Sequence, residues 1–277
     1  MLLAAALAAA MAQAWAENVT VEAVQYPAWI DRGGVSAPLA PGTALQANDR
    51  LRTGGNARVQ LRMAEGSTVK LGENAQFVLE RVENRGVFSA ALSVLTGAFR
   101  FTTDALRKAQ QRDIAIRVKN VTAGIRGTDL WGKSTDERDL VCLLEGKISV
   151  GSEGNPAVTL DQPLDFYQKP REGAPSVAKV DAKQIEIWSA ETEISKDGAA
   201  GRRGGKWQVI AAEFAQRDAA LAMNRMLRAN GYPSQIGTRG AMTTVVVAGL
   251  AGEPEARALV SNLREVPGIL APTVQGP

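Results

Sequence analysis

The apolar positions of the first two thirds of the chain recur with a period of two. In ARVQLRMAEGSTVKLGENAQFVLERV, Val59, Leu61 and Met63 alternate with Arg58, Gln60 and Arg62; Glu65-Gly66 interrupts, and Val69 and Leu71 resume. Alternation of this kind predicts a β-hairpin with one face in water. The same texture returns at Phe77 to Val82, Phe88 to Val94, Gly97 to Thr102, Ile114 to Val118, Leu140 to Leu144 and Ile148 to Val150, with Gly or Asn turns between most runs. Short strands at this spacing predict an all-β domain, either a sandwich or roll or a solenoid. One helix is predicted there, over residues 181–194, with Ile185, Trp188 and Ile187 toward the β domain.

Beyond residue 205 the periods alternate. WQVIAAEF and TTVVVAGL read as strands, AQRDAALAMNRMLRANG and EPEARALVSNLREVPG as helices. The two halves superpose at an offset of 36 residues, placing Ala212 on Ala248, Ala220 on Ala256, Leu227 on Leu263 and Arg228 on Arg264. Ala219, Met223, Met226 and Leu227 form one apolar stripe; Ala256, Leu259, Val260 and Leu263 form the other. Pro254 opens the second helix and Gly231 closes the first. With short strands at 234–238 and 270–274, this predicts an α+β domain of βαββαβ order, ferredoxin-like or RNP-like, on a four-stranded antiparallel sheet.

Charge divides the chain at the same place. Residues 17–194 carry 22 basic against 23 acidic side chains, whereas residues 195–277 carry 10 against 6. Between them, KDGAAGRRGG has four glycines in ten residues and no large apolar side chain. That composition predicts a flexible linker over 195–205 that trypsin cuts first. The N-terminal MLLAAALAAAMAQAWA is an uncharged apolar run ending in an A-x-A pattern, which predicts a signal peptide over 1–16 and a periplasmic mature chain. The domains expected are then 17–194, all-β with a C-terminal helix, and 206–277; no membrane span is expected in the mature chain.

Composition narrows the chemistry. There is no histidine and one cysteine, so imidazole-dependent triads and metal sites, thiolate zinc cages and intrachain disulfides are excluded. No pair of carboxylates stands out for acid–base work. The expectation is a binding protein, not an enzyme, with no cofactor. Cys142 alternates like a core residue in LVCLLEG and is expected to be a buried, inert thiol.

Four motifs carry a resemblance: GSTVKLGENAQFVLE (66–80), VLTGAFRFTT (94–103), TAGIRGTDLWG (122–132) and VCLLEGKISVG (141–151). In this order they are similar to the FecR-type periplasmic domain, across roughly residues 45–170. The best-known members place that domain after a cytoplasmic anti-sigma segment and one membrane helix, and relay a signal from an outer-membrane receptor. Neither segment is expected in this chain, which resembles the stand-alone exported form, and the resemblance implies an envelope protein partner of undefined identity. In TAGIRGTDLWG the glycines read as supplying backbone angles or close strand approach, with Ile125 and Leu130 in the core. Arg126 and Asp129 are candidate partner-binding residues, or else a structural pair.

The strand, helix and glycine pattern of residues 206–274 resembles a SPOR domain, a module implied to bind peptidoglycan glycan strands stripped of stem peptides. Trp207 takes the family's aromatic place and Phe214 its final one. Ile210, Ala212 and Glu213 stand where glutamine, glycine and serine are usual. Glycan recognition needs an apolar ring face and hydrogen-bonding partners, and Trp207, Gln208, Thr243 and Thr244 are the candidates, Trp207 reading equally as a core or edge aromatic. RNA binding on the same topology is disfavoured, because the aromatic run of an RNA-recognition sheet is missing and the net charge is small. The competing reading is a periplasmic adaptor that holds protein partners and binds no glycan.

Overall fold

The computed structural model describes residues 19–85, 87–103, 112–125 and 127–277. The predicted signal peptide and Arg126 lie outside the described residues.

Two mixed-length sheets face one another across a shared core. The first runs, edge inward, through Ser176–Lys179, Asp165–Pro170, Arg138–Glu145, Asp129–Ser134, Val87–Thr102, Thr68–Leu71, Arg58–Arg62, Thr20–Gln25 and Ala200–Arg202. The second runs through Val35–Pro38, Ala28–Arg32, Asp49–Thr53, Gln76–Arg85, Val87–Thr102, Arg112–Val118, Val121–Ile125, Ile148–Ser152 and Val158–Leu160. Among the described residues, pairing is antiparallel except between Val87–Thr102 and Arg112–Val118. The predicted hairpin is present, with Val59 opposite Leu71 and Leu61 opposite Val69, all four buried.

The sequence suggests separate strands at 88–94 and 97–102, but one strand, Val87–Thr102, serves both sheets. Its first part pairs with Gln76–Arg85 and its last with Asp129–Ser134. Gly97, at φ +86°, stands at the corner. A strand that switches sheets must bend sharply, and the bend here uses a backbone conformation open to glycine.

The helix is Ala182–Ala190, shorter than expected, capped by Asp181 accepting from the Lys183 amide at 2.7 Å. Ile185 and Trp188 pack on the first sheet, whereas Ile187 is 60% exposed. Contrary to the expectation, Ile187 faces away from the β domain, since it is two positions, about 200°, round the helix from Ile185. The segment after the helix is strapped down by charge: Lys133 pairs with Glu191 at 2.9 Å, and Lys70 with Glu193 at 2.6 Å.

The C-terminal region holds the predicted βαββαβ order: Trp207–Phe214, helix Arg217–Ala229, Ser234–Arg239, Met242–Leu250, helix Glu253–Arg264 and Thr273–Gln275. Its sheet order is Thr273–Gln275, Trp207–Phe214, Met242–Leu250, Ser234–Arg239, all antiparallel. Ala256, Leu259, Val260 and Leu263 are buried as the stripe requires. In the first helix the buried positions are Ala220, Met223 and Leu227, with Met226 at their edge.

The glycine-rich segment 195–205 is ordered, contrary to the flexible linker expected. Ala200–Arg202 pairs with Ala23–Gln25 on one side, and Gly201 pairs with Leu250 on the other. Ala199 and Ala200 are buried, and the amide and hydroxyl of Ser195 both donate to Gln25 Oε1. The glycines serve contact. A Cβ would lie 2.2 Å from Gln25 Oε1 at Gly198, 2.3 Å from the Tyr26 hydroxyl at Gly201 and 2.3 Å from the Gly249 carbonyl oxygen at Gly205. Composition alone cannot tell a glycine kept for freedom from one kept for close approach. Limited trypsin digestion should therefore show no preferential first cut at Arg202 or Arg203, because strand pairing on both sides withholds that backbone from the protease; rapid cleavage there would contradict the pairing.

The same seam continues beyond the shared strand. The Trp29 indole donates to the Ala229 carbonyl at 2.9 Å, under the end of helix Arg217–Ala229. Arg52 lies 5.2 Å above the Trp29 ring and is held there by a two-point pair with Asp31, which keeps the Asp31 carboxyl below its usual range. Tyr26 and Tyr232 meet at 6.3 Å, and burial pushes the Tyr26 hydroxyl well above its ordinary pKa.

Candidate ligand-binding face

The C-terminal sheet covers one face with its helices and leaves the other bare. Val209, Ala211, Val245 and Val247 are buried on the helix side, against the two apolar stripes. Since neighbouring residues of a strand point to opposite faces, Gln208, Thr244, Val246 and Ala248 project the other way. There they border a groove of about 300 Å³ with Ile210, Gln235, Gly237, Arg239 and Gln275. Gln208 donates to Gln275 Oε1 at 2.9 Å, bridging two strands across the groove. Thr244 is almost wholly buried and forms the floor. Gly237, paired opposite, leaves room above it, for a Cβ there would lie 2.8 Å from Thr244 Oγ1.

The candidate set from the sequence is thus divided. Gln208 and Thr244 share the bare face. Thr243 has the parity of Val245 and lies opposite Phe214, on the helix side. Trp207 pairs with Leu250 across an irregularity in register and packs half-buried on the core, with Gly276 close to its ring. The bulge between Ile210 and Ala212 resets the strand, so that Ala211 is buried and Glu213 emerges at the rim. Glu213 pairs there with Arg239 at 3.0 Å. Ile210, in the place where glutamine is usual, supplies an apolar wall to this groove and to an adjoining one of about 500 Å³, beside which Leu270 is 92% exposed.

Gln235, Gly237, Arg239 and Gln275 went unnoticed in the sequence. A period-two signal was available for the first three, since SQIGTR places them on alternate positions. Gln275 had no such signal, because the last strand is only three residues long and its register comes from the pairing of Gln208 with Gln275.

In the β domain, Asp129 is held inside the sheet. Arg100 donates to both of its oxygens, at 3.0 and 2.7 Å, and Thr102 to one of them at 3.3 Å. The pair raises the Arg100 guanidinium above its ordinary pKa despite partial burial. Ile125 and Leu130 are buried as expected. The three glycines of the motif differ in role: Gly127 is at φ +74° with open space around it, Gly132 lies against Phe99, and Gly124 shows neither feature. Cys142 is buried, and burial together with Asp165 pushes its thiol up to about 12, far from a reactive thiolate.

Among the described residues no group of three or more metal-ligating side chains converges, and no helix is long and apolar enough to cross a membrane. The FecR protein family matches residues 49–149, and the SPOR domain family matches residues 204–274. No curated protein matches the chain. Two solved crystal structures of a candidate anti-sigma factor from Parabacteroides distasonis ATCC 8503, at 1.65 and 2.50 Å, are similar at 15% identity with TM-scores of 0.42 and 0.43. Half of this chain is covered in each, and the alignment spans 64% and 63% of theirs.

Proposed function

We propose that this chain, which carries a FecR domain followed by a SPOR domain, is a non-enzymatic protein of the cell envelope whose bare C-terminal sheet face binds peptidoglycan glycan strands and so localises the FecR domain, a protein-interaction or signalling module. The observation that supports this reading most is the groove itself. Three side-chain amides, Gln208, Gln235 and Gln275, and the Thr244 hydroxyl surround an apolar strip of Ile210, Val246 and Ala248. A sugar ring offers the complementary surface, with C–H faces for the strip and a hydroxyl and acetamido periphery for the amides.

Co-sedimentation of the full chain with purified sacculi tests this. Gln208→Ala with Gln235→Ala removes two hydrogen-bonding groups worth about 1 kcal/mol each, so binding should weaken roughly ten-fold or more while Tm holds. Trp207→Ala should act differently, lowering Tm through lost packing on the core. Wild-type affinity in the glutamine double variant would refute the sheet face as the binding surface and favour a periplasmic adaptor that grips only proteins.

A further inference from the structure

A second groove, of about 780 Å³, lies on the outer face of the first sheet, where helix Ala182–Ala190 crosses strands Arg138–Glu145 and Asp165–Pro170. Its apolar floor is Leu140, Phe166 and Trp188. Trp188 is held rigidly: Trp131, fully buried, stacks on it at 4.4 Å and 3°, and Phe166 meets it edge-on at 6.2 Å and 81°. The remainder of the indole borders the groove. An aromatic fixed in this way presents contact area without losing side-chain freedom on binding.

The rim decides the ligand class. Three basic side chains, Lys133, Arg138 and Lys179, face three acidic ones, Asp136, Glu137 and Asp181, so the wall has no net charge. Most are already engaged: Lys133 with Glu191, Arg138 with Glu137, Lys179 with Asp165, and Asp181 with the helix amide. A polyanion or polycation finds no complementary field here, and a purely apolar segment would strip water from this rim and return no hydrogen bonds. The amides of Gln168 and Gln184 complete the wall. We infer that this groove is a saccharide-binding site on the β domain, built where the 138–145 strand meets the segment that follows the FecR match, and taking an uncharged sugar whose ring lies against Trp188 and whose hydroxyl or acetamido groups meet Gln168, Gln184 and the rim charges. The inference rests on this groove alone and not on the C-terminal sheet face.

The test uses the full chain and a β-1,4-linked tetramer of N-acetylglucosamine as the probe, measured by calorimetry and tryptophan emission. The starting protein carries Gln208→Ala and Gln235→Ala, which weakens the C-terminal face so that binding by the groove beside Trp188 dominates. It should still bind the probe with a change in emission. Adding Gln168→Ala and Gln184→Ala should weaken binding at least ten-fold without a change in Tm. Trp188→Phe, which keeps the aromatic packing, should weaken it several-fold and abolish the emission change. No binding to the starting protein overturns the groove whatever the wild type does, and if the wild type then binds, the C-terminal reading stands alone. Binding that ignores both the glutamine and the Trp188 changes also overturns it.

Discussion

Gly97→Val should leave the β domain unfolded or melting far below the wild type. A Cβ on Gly97 would lie 2.5 Å from the Ala75 Cα and 2.7 Å from its Cβ, distances that only backbone movement can relieve. The residue also sits at φ +86°, where a β-branched side chain is strained before any neighbour is considered. Left-handed backbone costs about 1–2 kcal/mol and overpacking about 1–3 kcal/mol more. Against a total stability of about 5–15 kcal/mol, and at roughly 2–4 °C per kcal/mol in a domain of this size, Tm should fall by about 5–20 °C. The contact persists in Gly97→Ala, which should therefore also be strongly destabilised. Gly127→Ala is the control, with φ +74° and nothing within 4 Å of the added carbon; it should cost about 1 kcal/mol. Thermal melts of the three variants separate the two causes. A Gly97→Val protein that melts with the wild type would remove the corner from the account of the fold.

These glycines show where sequence reading succeeds and where it stops. Alternation located the strands because burial on one face leaves a local mark, as in Val59, Leu61, Val69 and Leu71. The offset of 36 residues located the C-terminal repeat because both helices need the same stripe. What each glycine is for has no local mark. TAGIRGTDLWG holds one glycine under Phe99, where a Cβ would lie 2.4 Å from the ring, one at positive φ, and one with neither constraint. The segment KDGAAGRRGG misled for the same reason, since its glycines yield to Gln25, Tyr26 and Gly249, residues 44 to 175 positions away in the chain.

The candidate site was legible to the extent that strand parity was. Gln208 and Thr244, both candidates from the sequence, share the bare face. Thr243 cannot join its neighbour Thr244 there, because adjacent residues of one strand face opposite sides. Trp207 has the aromatic ring a sugar site needs, but its direction depends on a register irregularity that alternation does not reveal. The groove beside Trp188 was invisible because its floor comes from a strand residue, Leu140, another strand's Phe166 and a helix residue brought together by the tertiary fold.

Asp139→Ala should strongly destabilise the β domain. Asp139 is fully buried at the start of a strand whose next five residues, Leu140 to Leu144, are apolar. Its Oδ2 accepts from Arg171 at 2.6 Å, from the Asn120 amide at 3.2 Å and from the Asn120 side chain at 3.1 Å, and its Oδ1 accepts from Arg171 at 2.9 Å. Arg171 reaches on to the Ser134 hydroxyl and the Thr135 carbonyl, so one carboxylate ties the 119–120 turn, the 135–138 turn and the end of strand Asp165–Pro170 together. Removing it strands a largely buried guanidinium, for which the expected cost is about 3–5 kcal/mol. Asp139→Asn should fare little better, because half of its amide would present donors to the donors of Arg171. The cause is separable by a cycle: Asp139→Leu with Arg171→Met removes both charges and should lose less than Asp139→Leu alone. Urea denaturation of the four proteins measures this. Equal losses in the single and double variants would mean that the cost lies in packing at position 139 and not in an abandoned charge. The pair also has a consequence for binding. It anchors the turn that carries Asp136, Glu137 and Arg138 to the rim of the groove beside Trp188, so the same variants, held below their Tm, should loosen that rim and weaken saccharide binding there while the C-terminal face keeps its affinity.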